Sequence, residues 1–335
     1  MQTILVTGAN GFIGSHTLHW LAQQPNIRLI AACRDKRKIP GGFSGEVREG
    51  DLRDETYLTR LLEGVDVVVN AMAWTSLWGH SNESNALFFQ PTRKLIDQYR
   101  RSNASRFVNI STTSAAAPQG SADALSEGIP RHFWPHLCNV IRIENDLRQQ
   151  ASPEKSVVNL RLGIFVGEHY GLGVLPILLP RLKTHLVPWV QGGNTHLPLV
   201  DGRDCGQAMG LAALTDGLKG FQSFNVVGKE TPTVREVILF LHEEFGYPKP
   251  DFGVPFAVAY PFAWLMEKLD PIVPWEPLIM RSIIHLLEET HADNQRATAI
   301  LGYQPQYGWR DSIRLQIAEM ERRQTKPMRL SKPVG

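Results

Sequence analysis

The chain has 335 residues, 43% of them hydrophobic and 20% charged, with a net charge of +2. That length buries a large core in one large domain or two coupled ones, and the near-neutral balance excludes a dedicated acidic partner. Basic residues gather only at Arg322, Arg323, Lys326, Arg329 and Lys332, among prolines and without interleaved aromatics, so 321–335 reads as a flexible tail and no nucleic acid partner is expected.

Three cysteines, Cys33, Cys138 and Cys205, cannot pair completely and have no metal-ligand spacing, so no metal is expected and the compartment reads as the reducing cytoplasm. No charged and then apolar leader opens the chain, and no uncharged apolar run reaches the ~18 residues of a membrane span. Gly171 to Val190 and Gly253 to Met280 come nearest. Charges and prolines interrupt both, and they read as buried helices of a substrate domain. Membrane contact is not expected, although Phe252 to Trp264 has the composition to touch an apolar ligand or a membrane surface.

In chain order, Met1 to Val6 reads as an apolar strand, and Thr7-Gly8-Ala9-Asn10-Gly11-Phe12-Ile13-Gly14 turns from it into a helix, Ser15 to Gln24. Gly8 permits the tight turn, Gly11 lets backbone approach a pyrophosphate, and Gly14 lets the helix pack on the sheet, with its free N–H groups facing the anion. A second strand, Arg28 to Cys33, completes a βαβ unit. The spacing alone is weak in a chain with 28 glycines, but strand, turn and helix together point to dinucleotide binding.

Further strands are expected at Val65 to Ala71, Arg106 to Ser111 and Val157 to Leu162, with helices at Leu87 to Arg101 and Pro135 to Gln150. This alternation predicts an α/β fold with a doubly wound parallel sheet. The rhythm breaks after Gly163 and resumes with strand Leu197 to Val200, helix Gly202 to Leu214 and strand Phe224 to Val227. Residues 1–166 and 196–230 are assigned to a dinucleotide-binding domain of Rossmann type, and 167–195 with 231–320 to a smaller C-terminal substrate domain.

Several motifs in order resemble the extended short-chain dehydrogenases/reductases, the superfamily of sugar-nucleotide epimerases, dihydroflavonol reductases and 3β-hydroxysteroid dehydrogenases. Thr7 to Gly14 is similar to TGxxGxxG, Leu160 to Gly163 to LRPG, Val200 to Asp204 to VxDvA, Phe224 to Val226 to YNV, and Ala299 to Pro305 to the LGfxP ending. The resemblance runs from residue 1 to about 315 and implies that Asp51 and Leu52 hold the adenine ring and that Ala71, Met72 and Ala73 lie beside the cofactor. It also implies a homodimer built on the helices at 87–101 and 135–150. At the end of the second strand, Arg34 stands where an acidic residue selects NAD, and its planar fork suits a 2′-phosphate. That points to NADP, with NAD as the alternative.

The chemistry departs from the family, which works through Tyr-x-x-x-Lys, the lysine and ribose lowering the tyrosine's pKa. Aligning the family's P-Y-x-x-S-K-x-x-x-E on Pro135 to Glu144 puts His136 at the tyrosine and Val140 at the lysine, and no Tyr-x-x-x-Lys exists elsewhere. Phe88 replaces the helix asparagine. Thr112 keeps the orienting hydroxyl, with Ser111 beside it. Two readings follow: His136 acts as proton donor, assisted by His132 or Arg142, or the pocket binds dinucleotide without turnover, as a sensor or interaction protein. A thiolate site at Cys138 and Arg142 is a weaker third. Trp74, Trp78, His80, Phe133 and Trp134 suit an apolar or aromatic small molecule better than a sugar nucleotide, and Phe256, Tyr260, Phe262 and Trp264 agree.

Overall fold

A computed structural model describes residues 1–116, 123–171, 173–270 and 279–325. β1 (Gln2–Thr7) passes through the glycine turn into α1 (Phe12–Leu21), and β2 (Ile27–Cys33) pairs parallel to β1. β3 (Glu46–Glu49) and α2 (Glu55–Leu61) come next and have no counterpart in the sequence reading. The reason is visible in β3: as the edge strand Glu-Val-Arg-Glu it carries charge and shows no apolar run. β4 (Val67–Asn70), α3 (Ser81–Ser84), a single π turn (Asn85–Phe89), α4 (Gln90–Arg101), β5 (Arg106–Thr112), α5 (Pro135–Gln150) and β6 (Ser156–Leu162) then alternate as expected.

After β6 come β7 (Ile164–Val166), α6 (Val174–Leu182), β8 (Trp189–Val190), β9 (Leu199–Asp201), α7 (Gly202–Leu214) and β10 (Phe221–Val226). The main sheet has seven parallel strands in the order β10-β6-β5-β4-β1-β2-β3. The strand expected at Leu197 to Val200 lies elsewhere: as β9 it pairs with β7 in a separate two-stranded sheet. α8 (Val234–Phe245), β11 (Gly253–Val254), α9 (Phe256–Leu269), α10 (Arg281–Leu286), α11 (Gln295–Leu301) and α12 (Trp309–Thr325) complete the described chain.

Each face of the main sheet is covered by helices, as a parallel sheet requires. α1, α7 and α11 pack on one face with Val6, Val69, Leu160 and Phe224, and α2, α4 and α5 on the other with Leu5, Val68 and Phe107. α1 and α7 approach closely because a Cβ at Gly206 would lie 2.6 Å from the His16 backbone. Inside this apolar sheet runs a row of polar side chains that sequence reading missed. Thr7, Asn70, Asn109, Asn159 and Ser223 are direct neighbours across five strands. They are joined by hydrogen bonds of 2.8, 3.4, 2.9 and 3.1 Å. Each amide sits within an apolar run in sequence, and only strand register supplies its partner.

Two expectations are corrected. α9 is not a buried helix: only Ala259, Ala263 and Glu267 are buried, while Phe262, Trp264 and Leu265 are each 46% exposed. Nor is 321–325 a tail, because α12 continues to Thr325 with Arg323 paired to Glu319 at 2.5 Å. Lys326, Arg329 and Lys332 lie outside the described residues. Among the described residues no helix is long and apolar enough to cross a membrane. None of them forms a metal-holding cluster of His, Cys, Asp and Glu.

Candidate functional site

The strand order reverses between β4 and β1, and that switch point leaves a crevice at their carboxyl ends, where ligands of open α/β sheets bind. The glycine turn fills one side of it. Gly8 has φ +60°, and a Cβ there would lie 2.5 Å from the Ala71 carbonyl oxygen and 2.8 Å from the Met72 Cα. A Cβ at Gly14 would lie 2.2 Å from the Gly8 oxygen. Gly11 is the open position: it is exposed, donates its N–H to the Gly8 oxygen at 2.8 Å, and a Cβ would meet only that oxygen, at 3.1 Å. No acidic residue stands in the first turn of α1, so nothing there repels an anion. This cradle fits a pyrophosphate.

The remaining expected cofactor residues divide by role. Ala71 is buried beneath the turn, Met72 is half-buried and Ala73 exposed. Ile13 belongs to the core and Phe12 stacks on Tyr170 at 4.5 Å, so both are placed to offer backbone rather than side chain; Asn10 is half-buried. Asp51 is gripped by Arg53 through bonds of 2.6 and 3.0 Å, which hold its carboxyl below the usual range, and the Arg34 charge adds to this. Leu52 is partly buried against the core.

Arg34 is exposed just beyond β2, with no hydrogen bond or ion pair among the described residues. Its neighbours are engaged. Arg37 binds both oxygens of Asp35 at 2.8 and 2.9 Å, a grip that pulls that carboxyl down to about 2, and Lys36 lies 3.8 Å from Glu49.

Phe88, His136 and Val140, the three positions singled out in the sequence, lie on one side of the sheet. The helix that starts as α3 passes through the π turn just before Pro91, which has no N–H to give to the preceding turn. Ser84 and Phe88 both reach His136: the Phe88 ring is 4.9 Å from the imidazole, and Ser84 Oγ is 3.3 Å from Nδ1. The Trp74 ring also meets it edge-on, at 5.8 Å. Val140, in the lysine position, packs in the same apolar cluster as Phe88.

His136 is 9% exposed, and burial pushes its imidazole down to about 4. That burial favours the neutral ring at pH 7. What it offers is an N–H hydrogen bond. The unfolded chain takes up this proton near pH 6.5 and the folded chain only near pH 4, so stability is complete above pH 6.5 and falls as pH drops toward 4. The loss is about 3 kcal/mol. Urea unfolding from pH 4 to 7 should show that slope reduced in His136→Gln; an unchanged slope would refute the buried neutral imidazole.

Thr112 ends β5 and accepts the Ser114 N–H at 3.1 Å, which leaves its own O–H to donate. No hydrogen bond joins Thr112 to His136 among the described residues. Ser111 turns to structure and donates to Glu144 at 2.8 Å. Glu144 forms a buried ion pair with Arg161, the arginine of the Leu160 to Gly163 motif. His132 is exposed, and Arg142 lies over the Phe89 ring and bonds Asn139, so neither touches His136 directly. Burial raises the Cys138 pKa, against a thiolate site.

The aromatic lining also sorts itself. Trp78 and Trp134 are tied down through their ring N–H groups, to Asp270 at 3.1 Å and the Ser76 carbonyl at 2.7 Å. Phe133 packs edge-on to Tyr260. Phe262 and Trp264 point outward, and His80 is exposed, so Trp74 is the half-buried aromatic that borders His136. Ser84 and Asn139 were missed in the sequence because nothing local marks a serine on one helix as the neighbour of a histidine on another.

A doubly wound sheet with a glycine cradle at its switch point defines a nucleotide-binding α/β protein of the extended short-chain dehydrogenase/reductase type. The profile of the NAD-dependent epimerase/dehydratase family matches residues 4–226, and the chain belongs to that family. It is 26% identical over 282 residues to sterol demethylase protein B of Methylococcus capsulatus strain Bath, covering 80% of this chain and 82% of the relative. It is 23% identical over 319 residues to the uncharacterized protein YbjS of Escherichia coli K12, covering 90% and 93%. In fold it is similar to UDP-glucuronic acid 4-epimerase from Bacillus cereus, solved with UDP-glucuronic acid and NAD, at TM-score 0.70 and 20% identity, covering 96% of this chain and 99% of the other.

Proposed function

We propose that the protein is an oxidoreductase that prefers NADP and acts at an oxygen-bearing carbon of an apolar or aromatic small molecule. The observation that carries the reading is the cradle: Gly8 and Gly14 occupy positions that no side chain fits, and the Gly8 turn packs on Ala71 and Met72, two residues before Trp74, whose ring meets that of His136. When bound, the nicotinamide would supply the hydride to a carbonyl carbon, and the alkoxide so formed would take its proton from water. The chain's own part is to hold the substrate oxygen between the Thr112 O–H and the His136 N–H, two donors that stabilise negative charge there. A neutral imidazole is suited to this, since it acts as an electrophile without releasing a full charge into an apolar site. The missing lysine is consistent: with no tyrosine to ionise, a buried cation at Val140 has no role.

The Methylococcus relative carries a sterol in its name, which supports an apolar ring substrate. The substrate is taken between the sheet unit, 1–166 with 196–230, and the remainder, 167–195 with 231–320. We place the protein in the cytoplasm, in keeping with its three free thiols, as a homodimer built on α4 and α5, which light scattering tests.

Calorimetric titration with NADP(H) and NAD(H) tests the cofactor reading. Arg34→Ala should weaken NADP binding by roughly 10- to 100-fold and leave NAD within about twofold. Equal losses for both, or no binding of either by the wild type, would defeat it. His136→Ala should abolish turnover while cofactor affinity persists.

A further inference from the structure

We propose that Arg142, Asn139 and Ser84 are positioning residues that lock His136 in the tautomer with its proton on Nε2. The chain of donors has only one direction. An arginine donates and never accepts, and Arg142 Nη1 lies 3.1 Å from Asn139 Oδ1, its guanidinium held 3.8 Å above the Phe89 ring. This fixes which way the Asn139 amide faces. Its Nδ2 therefore donates to Ser84 Oγ, at 3.0 Å. Having received that bond, the Ser84 hydroxyl sends its single hydrogen to His136 Nδ1, at 3.3 Å.

The opposite tautomer breaks the chain. With a proton on Nδ1, Asn139 and His136 would both donate to Ser84 Oγ, and the Ser84 hydrogen would need another acceptor. Among the described residues that oxygen has no other partner, and Ser84 is fully buried. A buried hydroxyl rarely leaves its hydrogen unpaired. His136 Nε2, by contrast, has no partner among the described residues, yet it is not among the side-chain atoms sealed from solvent without one. The proton thus sits on the nitrogen that no described side chain engages. The elements agree: α5 carries Arg142, Asn139 and His136 at successive turns, and the π turn follows directly after Ser84.

This rests on the proposed function only for its use at a substrate oxygen; the tautomer itself is a property of the unliganded protein. Protein labelled with 15N-histidine, observed by two-bond proton–nitrogen correlation at pH 7.5, reads it directly, with His136→Gln assigning the ring. A protonated Nε2 and an unprotonated, accepting Nδ1 are expected; the reverse pattern overturns the proposal. Ser84→Ala should move both nitrogens toward averaged shifts. If that variant does not fold, Arg142→Met at the exposed start of the chain should do the same to a smaller degree. Shifts unchanged in the variant that folds also overturn the proposal. Once a substrate is in hand, Ser84→Ala should lower kcat at least tenfold with KM within twofold. The expected tautomer in a protein without any turnover would sink the oxidoreductase reading and leave the lock standing.

Discussion

Arg161→Ala is expected to remove about 3–5 kcal/mol of stability, the cost of leaving one partner of a buried ion pair uncompensated. Arg161 and Glu144 are both 0% exposed, and the guanidinium makes four hydrogen bonds. It donates Nε to Glu144 at 3.2 Å, Nη2 to the same carboxylate and to the Ser126 carbonyl at 2.6 Å, and Nη1 to the Asp123 carbonyl at 3.3 Å. In the variant Glu144 would keep Ser111 and the distant Arg148, 3.9 Å away, and its buried charge would lose its close partner. Urea unfolding should show a lower midpoint with an unchanged slope. The double variant Glu144→Gln, Arg161→Met should lose clearly less than Arg161→Ala, since no charge is then stranded. Equal losses would mean that the pair matters for its shape rather than its charge. The pair joins α5 to β6, so partial unfolding there would also displace His136.

Gly11→Trp should abolish dinucleotide binding, by at least about 100-fold or roughly 2.7 kcal/mol, in a protein that remains folded. The physical basis is the contrast among the three glycines of the turn. Gly8 and Gly14 are hemmed in by backbone at 2.5 and 2.2 Å, so replacing them damages the fold. Gly11 has φ −84°, which any residue adopts, and its only close neighbour is the Gly8 oxygen at 3.1 Å. An indole there projects over the N-terminus of α1 without disturbing the sheet. Calorimetry with NADP and NAD, alongside thermal unfolding, separates the outcomes. Wild-type affinity in a folded Gly11→Trp would mean that the pyrophosphate does not lie on this turn.

Local sequence carried the alternation of strands and helices, because buried parallel strands are continuous apolar runs and the glycine turn has steric requirements that few other residues meet. It also carried the absence of any Tyr-x-x-x-Lys spacing, which is evident from the letters alone. Tertiary structure decided what filled the space. Phe88 comes from the π turn and Trp74 from the loop after β4, both border His136 on α5, and burial there lowers the pKa of its imidazole. Register decided the row from Thr7 to Ser223, in which each polar side chain finds its partner on the neighbouring strand. Packing decided that α9 turns Phe262 and Trp264 outward, where composition had suggested a buried helix. Apolar periodicity records which element forms and which residues share a face. Desolvation, hydrogen-bond direction and the fate of a charge depend on neighbours distant in sequence, and these the folded chain alone brings together.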